Sequence, residues 1–254
     1  MLICIDIGNT NIVFGLYKDN ELFESFRFQT DIYQTVDEYS IKLMQTLAAL
    51  NVKKEDIKGV IAASVVPQLD KTIERAFEKY FSKKVIFVGP GIKSGINIKL
   101  DNPKQLGADI LVGAVGAVNK YSSPAIVIDM GTAITFCYVN DKKELLGGII
   151  LPGIKTSFNA LFKKASKLEE VGIETPKSVV GRDTVSSIQS GMVYGMASTI
   201  DGLIRKLKKE NGEAKVVITG GEARFILNVL EEEVIYDDNL LLDGLKVLFK
   251  KNSK

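Results

Sequence analysis

The sequence predicts a duplicated, two-domain α/β protein with mixed sheets, and two observations lead to that prediction. Residues 3–10 and 126–133 are each an apolar β-run that ends in Asp-x-Gly and a small polar residue. The two copies lie about half a chain length apart, and the order βββαβαβα is given twice, with losses in the second half. We therefore expect one domain over residues 1–120 and a second over residues 121–254.

The individual elements follow from hydrophobic periodicity and from glycine and proline positions. In the first half we expect strands at residues 2–6, 12–17, 22–28, 59–63 and 85–88, and helices at residues 36–50, 69–81 and 103–120. In the second half we expect strands at residues 125–129, 134–139, 144–150 and 215–219, a long helix over 184–208, and a helix from about Glu222.

Composition excludes several classes of function. The net charge of +2 gives no electrostatic case for nucleic acid binding. The absence of histidine excludes Ser-His-Asp and Cys-His catalysis and histidine-ligated metals. Cys4 and Cys137 lie in apolar β-runs and are expected to be buried. The longest apolar run, near residues 110–118, is too short to cross a membrane, and the N-terminus has no basic region typical of a signal peptide. We therefore expect a cytoplasmic protein with no membrane partner.

The two Asp-x-Gly turns also have a chemical use. Glycine lets the backbone approach a phosphate closely, and the flanking N–H groups and hydroxyls can donate to it. An Asp at the strand end can hold a cation against that phosphate. The alternative is a pair of β-hairpins with glycine turns. Because there are two copies, and because a third glycine turn follows residues 215–219, we favour nucleotide binding.

That third turn is Gly220-Gly221, which follows an apolar β-run. Two glycines after a strand open space for a flat group to lie against the backbone, although a tight turn between a strand and a helix would look the same. Combined with the Asp-x-Gly turns, Gly220 and Gly221 fit a contact on the adenosine side of a nucleotide. Residues 148–156 nearly spell a phosphate-binding loop, but they carry one extra residue before the lysine, and Pro152 removes a backbone donor.

Two further features leave alternatives open. Asp109 opens a helix after Gly107, where an acidic residue either complements the helix dipole or serves as a general base. Small residues recur every four positions at Gly191, Gly195 and Thr199. Such spacing lets another helix approach closely, either within one chain or at a subunit interface.

At this point the residues resemble a known family. The chain is similar to the type III pantothenate kinases, which belong to the acetate-kinase/Hsp70/actin-like superfamily. The motifs that carry the resemblance cover nearly the whole chain and occur in the family's order: Asp6–Thr10, Ser64–Pro67, Asn102-Pro103, Gly107–Asp109, Asp129–Ala133, Gly147-Gly148, Leu151–Gly153, Gly181–Thr184 and Thr219–Gly221.

The resemblance implies two actin-like (ribonuclease H-like) domains with ATP in the cleft between them. It further implies ATP-dependent phosphorylation of pantothenate to 4'-phosphopantothenate, the first step of coenzyme A biosynthesis, by a homodimer that needs Mg²⁺ and a monovalent cation, K⁺ or NH₄⁺. The residues implied to line the phosphate side of ATP are Asp6, Ile7, Gly8, Asn9, Thr10, Asn11, Ile12 and Val13, with Thr132 as a further phosphate contact.

The same resemblance assigns the metal and the substrate. Asp129 would bind the monovalent cation. Gly107, Ala108, Asp109 and Ile110 would meet pantothenate, with Asp109 as the proton acceptor, and Thr184 would contact pantothenate, in one reading from the other subunit.

Two positions depart from the family pattern. Ile110 stands where the family usually has Arg, and Leu100 stands where many members have Tyr. A guanidinium suits a carboxylate, which pantothenate carries, and isoleucine cannot replace it. Either Lys99 or Lys104 takes over that contact, or pantothenate binds weakly. A kinase for another small hydroxylated substrate and a nucleotide-binding regulatory paralogue without catalysis remain as alternatives.

Overall fold

The computed structural model describes residues 1–165 and 168–253, which form two compact units. Unit 1 comprises Met1–Gly95, Asn102–Asn119 and the chain from Leu240 onward, and unit 2 comprises Ile96–Asp101 and Lys120–Asn239. These units differ from the two predicted ranges at two segments and at Lys120, which lies in unit 2. Residues 96–101 lie in unit 2, and the chain from Leu240 onward lies in unit 1.

The elements, in chain order, are eleven strands and seven α-helices within the described residues. The strands are β1 (Leu2–Ile7), β2 (Asn11–Lys18), β3 (Glu21–Gln29), β4 (Gly59–Ser64), β5 (Val85–Phe87), β6 (Asn97–Ile98), β7 (Ala125–Met130), β8 (Ala133–Val139), β9 (Glu144–Pro152), β10 (Lys215–Thr219) and β11 (Ile235–Tyr236). The helices are α1 (Val36–Ala49), α2 (Pro67–Phe81), α3 (Ala108–Tyr121), α4 (Ile154–Lys164), α5 (Thr184–Ser190), α6 (Met196–Asn211) and α7 (Leu240–Asn252).

The two sheets repeat one topology, which confirms the predicted α/β fold with mixed sheets. The sheet of unit 1 has the order β3-β2-β1-β4-β5, with β1, β2 and β3 antiparallel and β4 and β5 parallel to β1. In unit 2 the order β9-β8-β7-β10-β11 reproduces this arrangement with the same strand directions. The short strand β6 adds to the free edge of β9, which is why residues 96–101 belong to unit 2.

The sheet of unit 1 is covered on both faces. Alternate residues of β1 and β2 pack into one core with the apolar sides of α1 and α2. On the other face lies α7, and a Cβ built on Gly15 would be 2.9 Å from the Leu242 side chain. Helix α3 crosses α7 at a point where both helices have glycine. A Cβ at Gly116 would lie 2.5 Å from the Leu240 carbonyl oxygen, so a larger residue there would hold the two helices apart. Those contacts tie the C-terminal helix to unit 1.

Unit 2 has its own core, built from alternate residues of β7, β8 and β10 and from the buried faces of α4 and α6. The predicted helix over 184–208 is present as a continuous run of α5, a π-helical turn at Gly191–Gly195, and α6. Such π-turns are usually single insertions in α-helices.

Two predicted helices differ from the observed elements. The helix expected from Pro103 begins at Ala108 instead, after a separate 3₁₀ turn at Pro103–Gln105. The helix expected from Glu222 is wrong, since two 3₁₀ turns at Ala223–Phe225 and Leu227–Val229 stand in its place. The fully buried Ala223 and Ile226 are three residues apart, a spacing that keeps both on one side of a helix with three residues per turn.

Both cysteines are buried, as the sequence predicted. Burial raises the pKa of the Cys4 thiol well above its ordinary value. Among the residues that the structure describes, no helix is both long enough and apolar enough to span a membrane.

Candidate active site

The Asp-x-Gly turn of unit 1 joins β1 to β2 and is held by backbone and hydroxyl contacts. The Gly8 N–H donates to the Asn11 carbonyl oxygen at 3.0 Å, and the Thr30 hydroxyl donates to the Gly8 carbonyl at 2.6 Å. Asp6 is half-buried at the strand end, whereas Asn9 and Thr10 at the tip of the turn are exposed. Ile7 and Ile12 are buried in the core, and Asn11 and Val13 are half-buried. Of the eight predicted phosphate-side residues, the tip residues are thus the accessible ones.

The Asp-x-Gly turn of unit 2 also joins two antiparallel strands, but it is one residue shorter. Asp129 is half-buried near the end of β7, the Gly131 N–H donates to the Ala133 carbonyl at 3.0 Å, and Thr132 is exposed at the tip. Each hairpin therefore presents a half-buried carboxylate followed by an exposed hydroxyl-bearing residue.

The double-glycine turn lies directly against Asp129. Strands β10 and β7 run parallel with Thr219 beside Asp129, so Gly220 follows at the carboxyl end of the same sheet edge. Gly220 has φ +92°, and a Cβ built there would lie 2.5 Å from Asp129 Oδ1 and from the Met130 carbonyl oxygen. Glycine is therefore needed for both conformation and space. Structure thus brings together Asp129, Thr132, Gly220 and Gly221 within unit 2.

Sequence reasoning missed Glu222 and the start of α4, which complete this arrangement. Glu222 Oε2 accepts hydrogen bonds from the Ile154 N–H at 2.7 Å and the Lys155 N–H at 3.4 Å. The Gly153 N–H and the Thr156 hydroxyl both donate to the Thr132 carbonyl, at 2.9 and 2.8 Å. The backbone donors of this near phosphate-binding loop are thus engaged by protein acceptors. The one sequence signal for these contacts is the glutamate that directly follows Gly220-Gly221.

Asp109 stands in the first turn of α3, in unit 1. Its Oδ1 accepts the Ile110 N–H at 2.8 Å, and burial raises the pKa of its carboxyl above the ordinary value of 3.8, against the lowering effect of that N–H. A side chain at Gly107 would collide with the same Oδ1, so glycine leaves the space that the carboxylate uses. Ala108 and Ile110 are half-buried. Burial and a raised pKa are features that carboxylates at functional sites often share.

Thr184 lies in a separate part of unit 2, at the first position of α5. It lines an open groove of about 580 Å³ together with the exposed Arg182 and with apolar side chains that include Phe158 and Leu161 of α4. A side chain at Gly181 would collide with the backbone of Ser187, which explains the glycine in Gly181–Thr184. Asp183 caps α5 by accepting the Ser186 N–H at 2.9 Å. Helix α4 thus begins at the Thr132 turn and lines this groove four and seven residues later, about 6 and 10 Å along its axis.

The structure also shows the surroundings of the residues that depart from the family pattern and of the predicted metal position. Lys99, directly after β6, pairs with Glu144 of β9 at 3.6 Å. Leu100 follows Lys99, and Lys104 lies within the short 3₁₀ turn Pro103–Gln105 before α3. Within the described residues no cluster of three or more acidic, cysteine or histidine side chains forms a ready metal site.

A comparison with protein families decides the identity of this arrangement. The sequence model of the type III pantothenate kinases matches residues 2–206, about four fifths of the chain. The chain belongs to the type III pantothenate kinase family. Membership of this family supports a kinase that uses ATP and a divalent metal ion. The matched residues include both Asp-x-Gly turns, Asp109 and Thr184, while Gly220, Gly221 and Glu222 lie beyond them.

Solved structures of low sequence identity share the fold of this family member. A conserved protein from Campylobacter jejuni, described as a Baf family transcriptional activator, superimposes with a TM-score of 0.61 at 22% identity and covers 98% of both chains. A protein of Porphyromonas gingivalis, provisionally named an N-acetylglucosamine kinase, gives 0.54 at 15% identity over all of both chains. Component A of the Acidaminococcus fermentans (R)-2-hydroxyglutaryl-CoA dehydratase gives 0.56 at 16%, over 100% and 99%. These likenesses support the actin-like fold.

Proposed function

We propose that the protein transfers the γ-phosphoryl group of ATP to the terminal hydroxyl of pantothenate, the first step toward coenzyme A. The family match supports the substrate. The observation that carries phosphoryl transfer is the repeated Asp-x-Gly hairpin, which presents a half-buried carboxylate and an exposed hydroxyl residue in each of two sheets of the same topology. Phosphoryl transfer depends mainly on positioning and charge stabilisation, which such turns can provide.

The chain's residues have distinct roles in this proposal. Asp6 to Val13 and Thr132 hold phosphate groups, for which the exposed tips Asn9, Thr10 and Thr132 are the accessible donors. Asp129 helps to hold K⁺ or NH₄⁺. Mg²⁺ needs only one or two carboxylates when it is bound together with substrate phosphates. Gly220 and Gly221 make room for the adenosine.

Asp109 is the proposed proton acceptor. Its carboxylate is half-buried, its pKa is raised, and the residue at position 107 lacks the side chain that would fill the space beside it. A base with a raised pKa is better matched to neutral pH than an exposed aspartate, and no histidine is present to act instead. The carboxylate would take the proton of the substrate hydroxyl as that oxygen attacks phosphorus. Gly107, Ala108, Ile110 and Thr184 complete the substrate contacts in this proposal.

One observation favours a second candidate, a kinase for another small hydroxylated substrate. Ile110 presents an apolar, half-buried side chain beside Gly107, with its Cδ1 3.8 Å from a Cβ built there. The cation that would recognise a carboxylate is therefore not supplied from this position. A substrate without a carboxylate would suit this helix end equally well.

An assay of ADP release separates these functions. The protein is incubated with ATP, Mg²⁺ and either pantothenate or a panel of sugars, in K⁺, NH₄⁺ or Na⁺, and the product is identified by mass spectrometry. Pantothenate-dependent ADP release with formation of 4'-phosphopantothenate supports the first function, and sugar-dependent release supports the second. Nucleotide binding without any ADP release would instead indicate a regulatory paralogue.

The proposal includes a homodimer in the cytoplasm. The stripe of Gly191, Gly195 and Thr199 is exposed, and nothing in the described chain lies within 4 Å of a Cβ built on Gly195. Val179 and Val180 nearby are 64% and 76% exposed. Sedimentation velocity should give a dimer for the native chain and a monomer for Gly195→Arg, and a native monomer at micromolar concentration would refute this part of the proposal.

A further inference from the structure

Three backbone segments of unit 2 meet at Glu222. One is the Asp-x-Gly turn at residues 129–133, the second is the double-glycine turn at residues 219–222, and the third is the start of α4 at residues 153–156. The Glu222 N–H donates to the Met130 carbonyl at 3.0 Å, and its carboxylate accepts the Ile154 N–H at 2.7 Å. One residue therefore links the double-glycine turn to both other segments.

The start of α4 in turn contacts the tip of the Asp-x-Gly turn. The Gly153 N–H and the Thr156 hydroxyl donate to the Thr132 carbonyl oxygen at 2.9 and 2.8 Å. The contacts thus close into a ring that runs from the double-glycine turn through Glu222 to α4, from α4 to Thr132, and from Met130 back to Glu222. Within this ring, the side chain of Glu222 forms the link between α4 and the double-glycine turn.

Steric fit shows that the ring is closely packed. A Cβ built on Gly153 would lie 3.0 Å from Glu222 Oε2 and 2.8 Å from the Thr132 carbonyl oxygen, and it would collide with the Gly131 carbonyl. Gly153 is buried, and Ile154 beside it is fully buried in the core of unit 2. A packed ring of this kind transmits a displacement of one segment to the others.

We propose that Glu222 is a positioning residue for nucleotide binding, which holds Thr132 and the Gly220-Gly221 turn in a fixed relation through the start of α4. This inference rests on the proposed function, in which Thr132 contacts phosphate and the double glycine contacts adenosine. Glu222 makes its contribution through Thr132 and Gly221, and its carboxylate is already engaged by two backbone N–H groups.

The role depends on the acceptor oxygen and on side-chain length rather than on charge. Burial raises the pKa of the Glu222 carboxyl above its ordinary value, although the Ile154 and Lys155 N–H groups lower it. The ionised form is thus disfavoured by its surroundings, and a neutral amide oxygen can accept the same two hydrogen bonds. Glu222→Gln should therefore preserve the ring, whereas Glu222→Ala removes the link and Glu222→Asp shortens it by one methylene.

The test combines kinetics, direct binding and hydrogen exchange on the full chain. For Glu222→Ala we expect the KM for ATP, and the Kd for ADP measured by calorimetry, to rise about tenfold, with a smaller change in kcat. Amide exchange should become faster at residues 130–133 as well as at 153–156. Glu222→Gln should stay within about threefold of the native values. If Glu222→Ala does not fold, Glu222→Asp is expected to show the same increase in KM.

Asp201→Ala is the matched control. The Asp201 carboxylate is 2% exposed and accepts the Glu231 and Glu232 N–H groups, both at 3.0 Å, so it resembles Glu222 in bonding but links α6 to a loop away from these turns. Its replacement should lower the melting temperature and leave the KM for ATP unchanged.

Two outcomes would overturn the inference. Faster exchange confined to residues 154–155, with an unchanged KM, would show that Glu222 only caps α4. An equal loss of nucleotide affinity in Glu222→Gln would show that charge, and not position, matters. A native protein that binds no adenine nucleotide refutes the proposed function instead, and the exchange at residues 130–133 then still decides whether Glu222 holds that turn.

Discussion

Replacement of Asp109 by Asn tests the chemical step most directly. The amide keeps the size of the side chain and an oxygen that can accept the Ile110 N–H, now 2.8 Å from Oδ1, but it cannot take a proton. Loss of a general base typically lowers the rate about 10²–10⁴-fold, which corresponds to about 3–5 kcal/mol in the barrier. We therefore expect a folded Asp109→Asn protein that binds ATP normally and turns over at least about a hundredfold more slowly.

The raised pKa of Asp109 gives this variant a distinctive pH dependence. Because the carboxylate is the active form, native kcat/KM should fall as the pH drops through the raised folded pKa, which lies above the ordinary 3.8. For stability the sign is opposite, since a raised folded pKa means that protonation favours the folded state. The contribution of Asp109 is fully present below its unfolded pKa and is lost as the pH rises through the folded pKa.

Asp109→Asn should accordingly be no less stable than the native protein at pH 8, apart from the loss of about 0.3–1 kcal/mol of helix-dipole energy. Single-turnover rates and thermal melts between pH 5 and 9 measure both effects. Asp37→Asn is the control, because Asp37 also lies in the first turn of a helix of unit 1 but is exposed and pairs with Lys79 at 2.8 Å. A variant that is less stable at every pH but retains most of its turnover would leave Asp109 as a helix-terminus residue only.

The remaining predictions concern the metal, the substrate and the glycine turn. Asp129→Ala should fold and lose the rise in turnover with K⁺ or NH₄⁺ over Na⁺, and equal native rates in Na⁺ and K⁺ would count against this role. Ile110 is half-buried, so Ile110→Arg should be tolerated and should lower the KM for pantothenate or leave it unchanged; an intact melt with a higher KM would indicate a pocket rebuilt for another substrate. Gly220→Ala should lower stability by about 1–3 kcal/mol in denaturant titrations and raise the KM for ATP, because its φ is +92° and its Cβ would meet Asp129. Gly202→Ala, inside α6 with open space around it, should instead stabilise the protein by up to about 1 kcal/mol, and equal losses in both variants would contradict this reasoning.

Most of the fold could be predicted because its signals are local. Alternating apolar residues define β1, β2, β7 and β8, and the repeated Asp-x-Gly turn marks the duplication, which the matching strand orders of the two sheets bear out. A one-residue shift in such strands would expose their apolar faces, so the pattern fixes their register. The position of Gly220 beside a strand end was likewise readable from the sequence.

What the sequence by itself determined, then, is the type and order of most of the elements, though not the start of α3 or the 3₁₀ turns that follow Gly221. Only the tertiary structure decided which distant segments share a core and which meet at the turns. Helix α7 packs on the sheet of unit 1 because Gly15 and Gly116 leave room for it, and the edge strand β6 joins the sheet of unit 2. The link between Glu222 and the start of α4 joins residues 68 positions apart. Periodicity carries no record of such contacts. They depend on backbone groups, which are alike at nearly every position, and on the space that individual glycines leave beside a distant segment.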